Sequence, residues 1–138
     1  MIDEKEILSS DLFLYLEGSL SCKQLKQKIR QALELWKKES IDRPIFLKDL
    51  SHDYRIEQKH IEKILNDFKE NNITSLEVEY LSSCLELSDD FIFENEIINE
   101  VVILLADSVI NLSLDSTKIE IIEGLLNSSV KTTPTRDE

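Results

Sequence analysis

Two glycines and two prolines among 138 residues constrain this chain more than any motif in it. Tight hairpins need glycine, asparagine or proline for backbone angles that other residues resist. With Gly18 and Gly124 as its only glycines, the chain cannot supply the turns of a sandwich or barrel of many short strands. It also lacks a glycine-rich phosphate loop, because the two glycines stand alone and far apart. The length is that of one domain, enough to bury roughly two-thirds of the unfolded chain's surface. Apolar residues at 41% and charged ones at 32% give a globular rather than a disordered balance.

The hydrophobic period is helical nearly throughout. A first helix is expected from about Glu4 to Glu17, ending at Gly18 in the left-handed C′ position. Ser21 with Gln24 forms a capping box for a helix that buries Leu25, Ile29, Ala32, Leu33 and Trp36. The segment 41–44 breaks it, and Pro44 suits the first turn of a short helix reaching Leu50. A helix over roughly 55–70 buries Ile61, Ile64, Leu65 and Phe68. A second capping box, Thr74 with Glu77, opens a helix over 75–87. Phe91, Ile92 and Phe93 read as an extended connector whose rings plug the core. A central helix is expected from Asn95 to Val109 and a last one from Asp115 or Ser116 to Leu126. The expectation is an all-α, single-domain bundle of about six or seven helices over 1–127, with a disordered tail over 128–138.

The net charge is -12, which opposes binding to nucleic acid or anionic membranes through Lys and Arg. Its distribution is more telling than its total. Residues 21–40 carry six bases and two acids, whereas 71–127 carry twelve acids and one base, Lys118. Projected at about 100° per residue, Glu79, Ser82, Ser83 and Glu86 share one polar face of the helix 75–87. Glu96, Glu100 and Asp107 form a stripe on the helix 95–109 with Ile103 in its middle, and Asp89, Asp90 and Glu94 lie in the connector between. An apolar residue ringed by acids has the composition of a protein interface, a desolvated anchor inside a charged rim. The set Glu79, Glu86, Asp89, Asp90, Glu94, Glu96, Glu100, Ile103 and Asp107 is therefore the expected partner-binding surface, and its partner is basic. The competing reading is that Ile103 leans against a neighbouring helix and the acids are a solvated face; the basic helix 22–39 in turn reads as lying beside the acidic helices and offsetting their field.

Reactive chemistry finds little support. His52 and His60 are eight apart, too far along one helix to share a metal, and no HExxH or Cys-His cluster occurs. His60 reads as a hydrogen-bonded surface histidine and Cys84 as a buried structural thiol. The segment 89–96, DDFIFENE, lacks the glycine and alternating ligands of a calcium loop. Neither a catalytic group, a cofactor nor a metal is expected. Acids at Asp3, Glu4 and Glu6 disfavour a signal peptide, and the apolar run 101–106 is too short to span a bilayer. A cytoplasmic protein with reduced cysteines is the expectation.

Residues 76–126 resemble the C-terminal halves of small helical immunity proteins from bacterial contact-dependent growth inhibition and related polymorphic toxin systems. The features that carry the resemblance are Glu79 and Tyr80, the SDDF connector at 88–91, and the helix with Glu96 and Glu100 that ends in LLADS. It implies a cytoplasmic, non-catalytic protein that blocks a cognate toxin domain, frequently a basic nuclease. The alternative from another class is a regulatory helical adaptor or a nucleic-acid-mimic anti-repressor that offers the same acids to a DNA-binding protein.

Overall fold

The computed structural model describes residues 7–38, 47–106 and 116–132, with side chains over 7–35, 47–106 and 117–127. The described residues are mostly helical but not purely so. The order is β1 (Ile7–Leu8), α1 (Ser9–Leu16), α2 (Cys22–Lys38), β2 (Leu47–Lys48), β3 (Tyr54–Ile56), α3 (Gln58–Lys69), α4 (Ser75–Leu87), β4 (Phe91–Phe93), α5 (Glu96–Ala106) and α6 (Ser116–Thr132).

Helix ends follow the local chemistry. Gly18 has φ +87, and Gly18 N–H donates to Tyr15 O at 3.0 Å while Ser19 N–H donates to Leu14 O at 2.8 Å. These two bonds make a Schellman stop. Asn71, at φ 65, stops α3 in the same way, with Asn72 N–H donating to Asp67 O at 2.8 Å. Both capping boxes form: Gln24 N–H donates to Ser21 Oγ at 3.1 Å, and Thr74 N–H donates to Glu77 Oε1 at 2.8 Å.

Among the described residues, four short strands correct the all-α expectation. β1 pairs with β2, and β3 with β4, both in parallel, with Tyr54 opposite Phe91 and Ile56 opposite Phe93. A strand at 47–48 stands where a helix was expected to reach Leu50; Pro44 lies outside the described residues. The helix expected over roughly 55–70 starts three residues later, after β3. Phe91–Phe93 is extended, as expected, because alternation turns Phe91 into the core and Ile92 outward. Phe13 stacks on Tyr54 at 4.7 Å between centroids, and Tyr54 tilts over Phe91 at 5.8 Å. The last helix continues to Thr132, past the boundary at 127 where a disordered tail was expected to begin.

The core draws on every helix: Leu12 and Leu16 of α1, Leu25 and Ile29 of α2, Ile61 and Leu65 of α3, Leu81 and Leu85 of α4, Val101 and Val102 of α5, and Ile122 and Leu126 of α6. The most enclosed helix is α4, buried from Val78 to Leu85 apart from half-buried Glu79. Among the described residues no helix is long and apolar enough to cross a membrane.

Candidate functional site

The acidic segment splits into carboxylates the fold consumes and carboxylates it leaves outside. Asp90 belongs to the first group and corrects its assignment as a partner-binding residue. It is only 2% exposed. Its Oδ2 accepts from Ser9 Oγ and from Leu50 N–H, both at 2.6 Å, and its Oδ1 accepts from His52 N–H at 3.3 Å. Desolvation alone raises a carboxyl pKa, but these hydrogen bonds favour the charged form more strongly and hold Asp90 below the ordinary range. Asp90 thus ties the α4–β4 turn to α1 and to the 49–53 loop, where Ser51 takes φ 58.

The polar face expected on α4 is also corrected. Ser82 is fully buried, with its Oγ unpartnered, and Ser83 is buried as well. Glu79 between them is half-buried and already engaged. Projection assumed that one side of α4 faces water, but neighbours surround it and the small serines sit within the packing. Only Glu86, at its last turn, remains outside.

Glu86, Asp89, Glu94, Glu96 and Glu100 are exposed, and among the described residues none of them makes an ion pair. Several of the described lysines are drawn to other acids. Lys28 reaches Asp11 at 3.5 Å, Lys59 reaches Glu17 at 3.5 Å, and Lys63 reaches Asp67 at 3.2 Å. Lys26 approaches Glu77 at 3.9 Å, so the basic helix offsets one acid of α4. Lys118, the single base of 71–127, is engaged too. The stripe on α5 appears as projected, with Glu96, Glu100 and Ile103 all exposed and Ile98, Val101, Val102 and Leu105 buried. Asp107 lies outside the described residues.

Sequence reasoning missed two apolar members of this surface. Leu87 is 62% exposed, Ile92 49% and Ile103 41%. The alternation Phe91-Ile92-Phe93 carried the signal for Ile92, since a buried and a half-buried ring on one side of the strand place the residue between them on the other. A groove of about 380 Å³ lined by Phe93, Asn95, Glu96 and Asn99 opens at the start of α5. An aromatic wall, one carboxylate and two amides suit the stem and head of an inserted lysine or arginine.

From Glu86 to Ile103 the exposed side chains are carboxylates, aliphatics and Asn95. Such a surface offers charge, apolar contact and amide hydrogen bonds. His60 is not the surface residue expected: it is 1% exposed, its Nδ1 accepts from Glu57 N–H at 2.9 Å and its Nε2 hydrogen-bonds Glu17. Tyr15, Asp67 and Lys63 form a second interior cluster in which Tyr15 donates to Asp67 at 2.6 Å. Among the described residues no group of three potential ligands converges to hold a metal. Compared with known proteins, the chain matches no family model, no curated protein and no solved structure.

Proposed function

We propose that this chain is an immunity protein that binds a basic toxin domain, of nuclease type, through its 86–103 surface and so blocks the toxin's active site. The observation that supports it best is the coincidence of three exposed aliphatics, Leu87, Ile92 and Ile103, with five exposed carboxylates that find no cation among the described residues. A face selected for stability alone interleaves lysines, because close like charges cost a few tenths of a kcal/mol per pair. Here none of the five carboxylates forms an ion pair among the described residues, and a basic partner relieves that repulsion. The aliphatics supply a desolvated centre and the carboxylates a rim that steers encounter. The groove beside Phe93 and Glu96 takes one basic side chain of the toxin. Cys22 and Cys84 are both free thiols, which accords with a cytoplasmic site of action.

The experiment is co-expression with a basic nuclease-type toxin domain, sought in the reading frame next to this chain's own, followed by kinetics of the purified pair; a neighbourhood with no toxin frame counts against the reading. Raising salt from about 50 to 500 mM should slow association at least tenfold, since steering between exposed charges is screened. Glu96→Lys with Glu100→Lys should weaken binding at least a hundredfold, and Ile103→Ser about tenfold. Affinity that survives the double charge reversal refutes the site, and a salt-independent association rate refutes the steering.

A further inference from the structure

Away from the acidic surface, α2 presents a basic stripe that the proposed function does not use. Lys23, Lys26, Gln27 and Arg30 recur at i, i+3, i+4 and i+7 and so share one helix face. With Cys22 and Asn72 they line a groove of about 410 Å³. Its far wall is fixed rather than pliant. Asn71 at φ 65 turns the chain there, and Asn72 is held by its N–H on Asp67 O at 2.8 Å and by its Nδ2 on Asp67 Oδ1 at 3.2 Å. Lys26 bridges the two walls, since its Nζ donates to Asn72 O at 3.0 Å and lies 3.9 Å from Glu77. Lys23 and Arg30 are exposed and make no ion pair among the described residues.

We infer that this groove is a binding site for a phosphate monoester of a small organic group. Glu77 offsets the charge of Lys26, which leaves Lys23 and Arg30 as two uncompensated cations. A phosphate monoester carries about -1.5 to -2 at neutral pH and matches that charge. The guanidinium of Arg30 can take two phosphate oxygens at once, with Lys23 as a point charge beside it. The groove is larger than a phosphate needs, and the lysine stems and Cys22 give the remaining space apolar walls for the organic part. A long polyanion is disfavoured, because beyond the groove it meets a chain whose net charge is -12. This site shares no residue with the 86–103 surface, so either assignment can fail without the other.

The test titrates isotope-labelled full-length protein with phenyl phosphate, inorganic phosphate and a short single-stranded oligonucleotide, followed by the amide signals of Gln27, Arg30 and Asn72. Phenyl phosphate should shift these signals saturably and bind several-fold more tightly than inorganic phosphate. Lys23→Gln with Arg30→Gln should weaken it at least tenfold while the far-UV spectrum is unchanged, since both side chains are exposed. Arg30→Lys, which keeps the charge and loses the fork, should weaken it two- to fivefold. Lys48→Gln, an equal charge change at another exposed lysine, should leave it unaltered. Equal weakening by Lys48→Gln overturns the site, and equal affinity for inorganic phosphate overturns the ester assignment. Tighter binding of the oligonucleotide to the same signals overturns the small-ligand reading in favour of nucleic acid.

Discussion

Replacing Asp90 by Asn tests the central inference about which acids the fold consumes. The amide is isosteric, so packing is nearly preserved and the change is chemical. Its oxygen can keep the position that accepts Ser9 and Leu50, both at 2.6 Å. Its NH₂ then faces the N–H of His52, which Oδ1 accepts at 3.3 Å, and two donors oppose each other. One buried bond is lost and two lose their charge assistance, for a cost of about 2–4 kcal/mol. Against a total stability of about 5–15 kcal/mol, that is a large fraction. With a urea slope of about 2 kcal/mol/M, the midpoint should fall by roughly 1–2 M in a titration followed by circular dichroism at pH 7. The double variant with Ser9→Ala should cost less than the sum of the single changes, because the two residues share one bond. Acid behaviour gives a second reading of the same variant. A carboxyl whose folded pKa is depressed stabilises the fold above its unfolded value, near 3.8 for Asp, and loses that contribution as pH falls through the folded value. Asp90→Asn should therefore flatten the loss of stability below about pH 4. A variant within about 0.5 kcal/mol of the parent, an effect typical of solvated surface sites, refutes the assignment of Asp90 to the interior.

Other consequences are equally direct. Tyr15→Phe removes the donor to Asp67, whose carboxyl burial pushes up but hydrogen bonds from Tyr15, Asn72 and Lys63 pull below the ordinary range. It should cost about 1–2 kcal/mol at pH 7 and less at acid pH, where Asp67 is protonated in both variants, as paired urea titrations can show. Gly18→Ala should destabilise by about 1 kcal/mol through its positive φ alone, since no atom lies within 4 Å of the added Cβ. Gly124→Ala, with the same open space but within α6, should stabilise by about 1 kcal/mol; thermal melts separate the two signs. Burial pushes the Cys84 thiol up to about 12, and burial with the neighbouring Asp67 raises Cys22. Thiol labelling of the native protein at neutral pH should be slow at the half-buried Cys22 and absent at Cys84, whereas both should react in urea.

Much of the helical framework could be read locally because its determinants are local. Ser21 and Gln24, Thr74 and Glu77, and Gly18 act within one turn of the backbone, and each does in space what its sequence context implies. The apolar stripe of α2 from Leu25 to Leu33 and the exposed stripe of α5 from Glu96 to Ile103 were legible for the same reason, while the side chains of Trp36 and Asp107 lie outside the described residues. Each of these helices has one side against the core, so a period of 3.6 residues maps directly onto burial. The same projection failed on α4, whose surroundings leave no solvent side before Glu86.

By itself, the sequence determined a mostly helical chain and a segregated charge: basic over 21–40, strongly acidic over 71–127. Those properties depend on residue type and on neighbours a few positions away. Tertiary structure alone decided which acids are spent and which remain. Asp89 and Asp90 are adjacent and chemically identical, yet one is exposed and the other lies under backbone N–H groups from about 40 residues earlier. The parallel pairs β1–β2 and β3–β4 are equally hidden, since each joins two or three residues across the same long separation. A carboxylate's role depends on the donors that face it, and only folding brings those donors from distant parts of the chain.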